Sequence, residues 1–443
     1  MSRITVEEIK IKKSKVAVLG GGIAGVMSAK ILDEKGYDVV VYESESQIGG
    51  LCRTEKLPNG FLFDTGGGHI FHSVYKDVLD RIIGLIGREN LLQHKRNTRI
   101  YIYDKFVKYP FENGLSDLPP EARYECLMGY IEAWRKRNEF FGEYDNFMQM
   151  IVGMFGRGIA DHFMIPYNRK IWCVDPAEMG LDWIKNRVPS APIEDVVKSA
   201  LGMETEGYKH QSVFYYPEKG GIQSFVDIVA QPIVDKIRLN SPVKKISRTG
   251  TGWRVNGENY DRIVSSIALD EFVNMYDGAP DEVKNRSRQL RHIGLLSVLV
   301  CLKTEKLPDY SWLYLPHDDQ GEINRLTYFT NYSKKIAPEG MSSLLCETTF
   351  LGENDFSENR VMNMVDNLVK IRLIDRNDVE SVHWRFNEYA YILPDLNMSK
   401  NRDYIIGRLE SCSLNFIGRF GSFRYYNMDQ VIKQVLDMVE TKF

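Results

Sequence analysis

The sequence predicts an α/β protein made of several parts. Two observations lead to this fold class. The N-terminal stretch alternates a buried strand, a glycine turn, a helix and a second strand, and the later chain separates a helix-rich region from β-branched, strand-like runs. The length of 443 residues exceeds the size at which one hydrophobic core stops growing, so we expect two or three domains.

Composition and charge exclude several classes of protein. Hydrophobic residues make up 43% of the chain and charged residues 26%, as in an ordinary globular protein. The formal net charge of −3 argues against nucleic acid as a partner. The six cysteines stand singly, the charged N-terminal stretch lacks the apolar core of a signal peptide, and no apolar run reaches membrane-spanning length. We therefore expect a cytoplasmic protein without a transmembrane segment.

The first element is a β-α-β unit in the stretch KVAVLGGGIAGVMSAKILDEKGYDVVVYE. Gly20, Gly22 and Gly25 have the GxGxxG spacing. The first glycine permits a tight turn, the second lets a pyrophosphate approach the backbone, and the third lets helix and strand pack closely. Glu43 ends the second strand, where it can accept hydrogen bonds from a ribose. These residues predict a dinucleotide site.

The next segment favours FAD as the dinucleotide. SESQIGGLCRT follows Glu43 directly, and its Gly50 and Arg53 resemble the second fingerprint of the FAD-binding amine oxidase superfamily. The resemblance implies that this segment runs beside the FAD pyrophosphate. The pattern of residues 237–268 predicts three strands. The resemblance implies that the backbone near Val243 lies against adenine. The implied fold is a Rossmann-like FAD-binding domain of the amine oxidase type.

Two further parts are expected to be inserted into this domain. The turn-poor, periodic region of residues 76–190 predicts a mainly helical domain. The apolar and β-branched runs of residues 205–225 and 286–400 predict an antiparallel sheet on the substrate side. The discontinuous FAD-binding domain then consists of residues 14–75, part of 195–285, and 400–443.

Four segments narrow the family further. They are, in chain order, GGGHIFHS, PYNRKIWCVDPAEMGLDWIKNRVP, INRLTYF and FIGRFGSFRYYNMDQVI. Together they resemble UDP-galactopyranose mutase and its close relatives. The resemblance implies an isomerase that interconverts the pyranose and furanose forms of a UDP-sugar for cell-surface glycans. It also implies that reduced FAD is the nucleophile, so that an electron donor is needed as a partner.

The resemblance assigns diphosphate binding to arginines and tyrosines. A planar guanidinium meets two phosphate oxygens at once, whereas lysine acts as a point charge. The matching positions are Arg325, Arg419, the lid-side Arg187, Tyr425 and Tyr391. For the second tyrosine, Tyr389 fits the family pattern as well.

Aromatic and closing-segment residues complete the implied site. Tyr167 matches the position that stacks on uracil, and Trp172 would lie nearer the sugar, although an amphipathic core helix would show the same pattern. Asn427 stands among the substrate contacts where the family commonly has Asp. Gly418 and Met428 belong to the FAD contacts of the same segment.

The stretch DTGGGHIFHS is implied to form the wall beside the flavin. Gly66, Gly67 and Gly68 would let the backbone run close to the ring and adopt positive φ. His69 matches the position beside the flavin, where an imidazole responds to the charge of the reduced ring. His72 is the lesser candidate for that position. A metal site at the two histidines is disfavoured because no third ligand accompanies them.

Alternative functions stay open on the sequence alone. An FAD-dependent oxidoreductase of the amine oxidase or protoporphyrinogen oxidase class would share the fold but transfer hydride to FAD. A third hypothesis is a non-enzymatic, FAD-stabilised binding protein in glycan assembly. An oxidase has no need for Arg325 and Arg419 to converge on one diphosphate, so this pair separates the alternatives. Assembly into a homo-oligomer is also open.

Overall fold

Both helices and strands occur along the chain in the computed structural model, which describes residues 13–139, 144–184, 191–205, 212–352 and 356–443. The strands are β1 (Lys15–Leu19), β2 (Asp38–Tyr42), β3 (Thr54–Lys56), β4 (Leu62–Asp64), β5 (Leu91–Lys95), β6 (Arg99–Ile102), β7 (Lys105–Lys108), β8 (Val213–Pro217), β9 (Ile237–Arg238), β10 (Ile246–Arg248), β11 (Trp253–Val255), β12 (Glu258–Tyr260), β13 (Arg262–Ser265), β14 (His292–Leu302), β15 (Trp312–Tyr314), β16 (Arg325–Thr327), β17 (Ser342–Phe350), β18 (Val379–Ile392) and β19 (Leu414–Phe416). The helices are α1 (Ile23–Glu34), α2 (Lys76–Ile86), α3 (Pro120–Glu139), α4 (Phe147–Ile159), α5 (Ile165–Trp172), α6 (Ile193–Ala200), α7 (Gln223–Ala230), α8 (Leu269–Met275), α9 (Asp281–Ser287), α10 (Glu358–Lys370), α11 (Met398–Leu409), α12 (Gly418–Gly421) and α13 (Met428–Lys442).

A parallel sheet gathers strands from three distant parts of the chain, in the order β19-β13-β1-β2-β9. Val16 and Val18 of β1 pack toward α1, α7 and α13, while Ala17 and Leu19 pack toward α8, α11 and the antiparallel meander β10-β11-β12. Because both faces are covered, β1 is an unbroken apolar run rather than an alternating one. The predicted α/β class and Rossmann-like domain are confirmed.

A seven-stranded sheet forms the second layer, in the order β18-β14-β17-β16-β15-β6-β7. Its pairs are antiparallel except for β15 with β6. The side chains of β14 alternate: Val298 and Val300 contact the core under α10, whereas Leu299 and Cys301 contact the core that includes β4 and β8. The sheet is therefore buried on both faces along its central strands.

The helices α3 to α6 share a third core with the edge of this sheet. Ile100 and Ile102 of β6 pack among Phe155 of α4 and Trp172 of α5. A π-helical turn, Ala160–Met164, joins α4 directly to α5. The position of α5 is thus fixed both by the helices and by the sheet.

The predicted segments and the observed elements differ in two places. Residues 76–190 contain three strands besides the helices: β6 and β7 belong to the large sheet, and β5 pairs with β8. Helix α7, which begins inside the stretch 205–225, packs on α1 instead of the large sheet. The domain boundaries themselves stay predictions. Within the described ranges, no helix combines the length and the apolar composition needed to cross a membrane.

Candidate functional site

Three adjoining cavities lie between the two sheets and the helical core. The nucleotide cavity, of about 800 Å³, is lined by Gly22, Glu43 and Arg53. The middle cavity, of about 180 Å³, is lined by Gly67 and Arg325, and the aromatic cavity, of about 300 Å³, by the side chains described below. Shared walls connect them: His69, Arg419 and Met428 line the first two, and Arg325, Tyr391, Tyr425 and Asn427 line the last two.

The glycine turn after β1 has a steric requirement at two of its three key positions and open space at the third. Gly20 has a φ of 97°, and a Cβ there would lie 2.6 Å from Oγ of Ser266. A Cβ on Gly25 would lie 1.9 Å from the carbonyl oxygen of Gly20, so only glycine lets α1 pack this closely on the turn. Gly22 caps α1 and faces the nucleotide cavity, with protein atoms no nearer than 4.0 Å to its Cβ position. This arrangement leaves the N-terminus of α1 open to a phosphate.

Glu43 and Arg53 are two charged residues that line the nucleotide cavity. Glu43 is buried at the end of β2, and its Oε2 accepts the amide of Gly21 at 2.7 Å while Oε1 accepts that of Glu45 at 2.9 Å. A carboxylate has further lone pairs for ribose hydroxyls. Arg53 donates from Nη2 to the carbonyl of Gln47 at 3.2 Å. Its Nε is buried without a hydrogen-bond partner among the described residues.

These features fit FAD. A buried guanidinium N–H without a partner is costly unless a ligand accepts a hydrogen bond from it, and a pyrophosphate oxygen would do so. Gly50, with a φ of 57°, brings backbone to the same wall. Val243, from the loop after β9, lines the same cavity and is predicted to face adenine. Most of the residues predicted for the cofactor line this one cavity, which is large enough for a dinucleotide. They are Gly20, Gly22, Glu43, Gly50, Arg53, His69, Val243, Gly418 and Met428, whereas Gly25 packs behind the turn and Gly67 lines the middle cavity.

The glycines of the GGGH loop are required mainly by the protein itself. A Cβ on Gly66 would lie 2.0 Å from the carbonyl oxygen of Leu51, so the close approach there is to backbone and not to the cofactor. Of the three glycines only Gly67 has a positive φ, of 91°. Gly68 has ordinary φ and lies against Arg325. The expectation of positive φ was therefore wrong for Gly66 and Gly68, and that the loop lies beside the flavin stays a prediction.

His69 is a neutral imidazole between the nucleotide and middle cavities. Burial, followed by the nearby charge of Arg419, lowers the pKa of His69 to about 4. Its Nδ1 lies 3.0 Å from the carbonyl oxygen of Gly67. A carbonyl only accepts, so Nδ1 carries the proton and Nε2 is left as an acceptor. His72 pairs instead with the carbonyl of Val213, and the two histidines thus face different parts of the chain.

Arg419 lies where the nucleotide and middle cavities meet. Gly418, with a φ of 75°, turns the chain into the short helix α12, and Met428 begins α13 on the far side of the segment. The guanidinium of Arg419 donates from Nη1 to the carbonyl of Ala390 at 2.7 Å and from Nε to that of Tyr426 at 2.9 Å. These bonds hold the cation in place without neutralising it.

Arg325 reaches the same middle cavity from β16 but is paired. Its Nη2 donates to Oε1 of Glu347 at 2.5 Å and to the carbonyl of Gly68 at 3.1 Å, and its Nε donates to the same Oε1 at 3.1 Å. Arg325 and Glu347 are opposite each other in the register of β16 and β17. Arg325 and Arg419, both predicted from the sequence, therefore line one cavity. Arg325 is paired with a carboxylate, whereas the acceptors of Arg419 are backbone carbonyls.

The aromatic cavity is built around α5. Tyr167 stacks on Phe163 with ring centroids 5.5 Å apart and an interplanar angle of 13°. Trp172 is buried, donates from Nε1 to Oδ1 of Asn168 at 3.2 Å, and makes edge contacts with Tyr391 and Tyr425. Burial above all raises the pKa of Tyr391, so its hydroxyl stays protonated and able to donate.

The remaining predicted residues have varied positions. Asn427 lines the middle and aromatic cavities, and its side chain also caps α13 in a reciprocal capping box with Gln430. Tyr389 lines the nucleotide cavity, where its hydroxyl donates to Asp270, so Tyr391 is the tyrosine that joins Tyr425. Arg187 lies outside the described residues.

Several cavity-lining residues were not singled out from the sequence. They are Arg96, Tyr109, Glu112, Trp183, Tyr314 and Glu347. Glu347 had a usable signal, since it is a lone carboxylate inside the apolar strand SSLLCETTFL, and buried charges are normally paired. The others come from separate elements that only the folded chain brings together.

Comparison with known proteins agrees with this geometry. The model of the flavin containing amine oxidoreductase family matches residues 23–398. A flavin-containing amine oxidase of Oncorhynchus mykiss is 25% identical over 305 residues, which cover 65% of this chain but only 56% of that protein. A dTDP-fucopyranose mutase of Escherichia coli is 22% identical over 440 residues, covering 96% of this chain and 98% of the mutase.

A solved structure supports the same fold over the whole chain. The crystal structure of a reduced UDP-galactopyranose mutase superposes with a TM-score of 0.87 at 26% identity, and the alignment covers 97% of this chain and 96% of that one. The expected likeness to these mutases is therefore confirmed. Because the family match extends over most of the sequence, this chain belongs to the flavin containing amine oxidoreductase family, and FAD is its cofactor.

Proposed function

We propose that this protein is a flavin-dependent isomerase that interconverts the pyranose and furanose forms of a nucleotide sugar, UDP-galactose or a close relative, with FAD in its reduced form. One observation carries the proposal: Arg325 and Arg419, from elements far apart in the chain, line one small cavity that adjoins the nucleotide cavity. Two guanidinium groups next to tyrosine hydroxyls are suited to a diphosphate.

In this proposal the two arginines hold and neutralise the diphosphate as a leaving group. Arg419 contributes a positive charge that is not paired with a carboxylate in the described part of the chain. Arg325 contributes the donors that its contacts with Glu347 and Gly68 leave free. The hydroxyls of Tyr391 and Tyr425 donate to phosphate oxygens. Positive charge and fixed donors favour departure of the nucleoside diphosphate, because negative charge develops on it as the bond to the sugar weakens.

The flavin side of the middle cavity is formed by His69 and the GGGH loop. When bound there, reduced FAD supplies the nucleophile for the anomeric carbon, and no net electrons are consumed. Neutral His69 keeps Nε2 as an acceptor and adds no positive charge at neutral pH. A separate electron donor would bring FAD to the reduced state.

The aromatic cavity is proposed to hold the nucleobase. Tyr167 lines this cavity, and its stacking on Phe163 holds the ring in place. Trp172 supports the two tyrosines at the junction with the middle cavity. Enclosing the substrate between these rings would exclude water and so strengthen the charge interactions at the diphosphate.

The alternative is an oxidoreductase that transfers hydride from an amine or a porphyrinogen to FAD. The family match and the trout amine oxidase are compatible with it. The arginine pair disfavours it, since a cationic cavity is unsuited to a substrate that must lose hydride and become more positive.

One experiment separates the two functions. Protein reduced with dithionite is incubated with UDP-galactopyranose and with UDP-galactofuranose, and the products are separated by chromatography. The dTDP-linked sugars and oxidised protein are run in parallel. Interconversion by reduced protein alone is expected. Failure to convert any of these sugars, together with anaerobic bleaching of the flavin by an amine or a porphyrinogen, would establish the oxidoreductase instead.

A further inference from the structure

Glu347 is a buried carboxylate at the junction of the site, and the proposed reaction does not yet use it. Its exposed fraction is 3%. It lies on β17 and lines both the middle and the aromatic cavity. A carboxylate at a place built to bind a diphosphate works against anion binding unless it has another task.

A single oxygen of Glu347 joins the GGGH loop to Arg325. Oε1 accepts from the amide of Gly68 at 2.9 Å and from Arg325 through both Nε and Nη2. Arg325 in turn donates to the carbonyl of Gly68. The loop that leads into His69 and the guanidinium of Arg325 thus form one closed hydrogen-bonded unit, with Glu347 at its centre.

The charge balance differs between the two arginines as a result. The hydrogen bonds of Arg419 go to neutral carbonyl oxygens, whereas Arg325 is matched by one full negative charge. The middle cavity therefore carries about one uncompensated positive charge from this pair instead of two. This balance affects anything negative that binds in it, whether the diphosphate or the reduced flavin ring.

We propose that Glu347 positions Arg325 and that its negative charge also weakens the binding of nucleoside diphosphate. It fixes Arg325 against the GGGH loop, and it limits the affinity of the cavity for nucleoside diphosphate, so that the diphosphate can leave and return during the reaction. The inference rests on the proposed function, because it assumes that a diphosphate occupies the middle cavity.

The test is Glu347→Gln in the FAD-containing protein. Glutamine keeps the size and one acceptor oxygen but removes the charge. We expect UDP to bind about tenfold more tightly, as followed by the flavin absorbance or by calorimetry. The midpoint potential of the flavin should shift to a more positive value, since a negative charge no longer opposes reduction. A merely structural glutamate would give weaker or unchanged UDP binding, and that result would overturn the proposal.

Two further variants keep the test decisive. Glu347→Asp retains the charge but shortens the side chain, so UDP affinity should change by less than about twofold while turnover falls. If Asp tightens UDP binding as much as Gln does, charge is not the cause and the proposal is wrong. Glu322→Gln removes the carboxylate of a partly exposed pair with Arg360 and is the matched control, with no change expected. Wild-type protein that fails to bind UDP would instead contradict the proposed function itself.

Discussion

The guanidinium carbon of Arg419 lies 5.3 Å from the centroid of the Tyr425 ring, and two backbone carbonyls hold it there. The same group lies 5.5 Å from the ring centroid of Tyr391. A cation over aromatic faces, with its donors directed by the main chain, has little freedom to move. Arg419 is thus a preorganised positive charge at the junction of the nucleotide and middle cavities.

Replacing Arg419 with lysine should remove this preorganisation. Lysine cannot donate to both carbonyls in the same plane and cannot meet two phosphate oxygens at once. We expect kcat/KM for the nucleotide sugar to fall about 100-fold, or ~2.7 kcal/mol of transition-state stabilisation. Arg424→Lys, at the exposed arginine five residues later, is the matched control and should stay within about twofold of wild type. Equal losses in both variants would refute the special role of Arg419.

Gly25→Ala should prevent FAD binding. The added Cβ would meet the carbonyl oxygen of Gly20 at 1.9 Å, so either the turn or α1 must shift away from the phosphate position. We expect purified protein with little or no flavin, as measured by the ratio of absorbance at 450 and 280 nm. Gly84→Ala adds a methyl group to α2 with no neighbour within 4 Å and should retain full flavin content. Normal flavin in both variants would contradict the assigned packing role.

His69→Ala should alter the flavin more than His72→Ala. His69 lines both the nucleotide and middle cavities, whereas His72 lines only the middle one and bonds to the carbonyl of Val213. We expect a changed midpoint potential and slower turnover for the first variant and a small effect for the second. Since the pKa of His69 is about 4, the wild-type pH profile should show no His69 titration between about pH 5 and 8. Equal, mild effects of both substitutions would overturn the assignment.

Local spacing explains which parts of the site the sequence could predict. The turn of Gly20 to Gly25 and the acid Glu43 belong to one β-α-β unit, so their arrangement follows from short-range rules. Arg325 and Glu347 are different, because their contact depends on the register of two strands whose partner residues are 22 positions apart. Strand register over such a distance is set by the buried faces of the whole sheet. For the same reason the shared wall of the middle and aromatic cavities became visible only in the folded chain.

Asp64 should give the protein a measurable pH dependence of stability. This carboxyl group ends β4, is fully buried, and accepts hydrogen bonds from Thr54 at 2.6 Å and Tyr216 at 2.7 Å. Burial outweighs these bonds and raises its pKa from 3.8 to about 6. The native protein therefore holds the proton more tightly than the unfolded chain. The stability that this provides is fully present below about pH 4 and is lost as the pH rises through about 6.

The variant Asp64→Asn cannot titrate, so it isolates this contribution. A pKa raised from 3.8 to about 6 corresponds to roughly 3 kcal/mol. The free energy of unfolding of Asp64→Asn minus that of wild type should therefore increase by roughly this amount between pH 4 and 7. His69, whose pKa is lowered, changes the stability with pH in the opposite direction. Its contribution is the same in wild type and in Asp64→Asn, so it cancels in the difference. Urea unfolding at several pH values measures this difference in unfolding free energy, and Asp80→Asn, at an exposed position, is the control. A constant difference across this range would mean that Asp64 is ionised in the native protein throughout, against the effect expected from its burial.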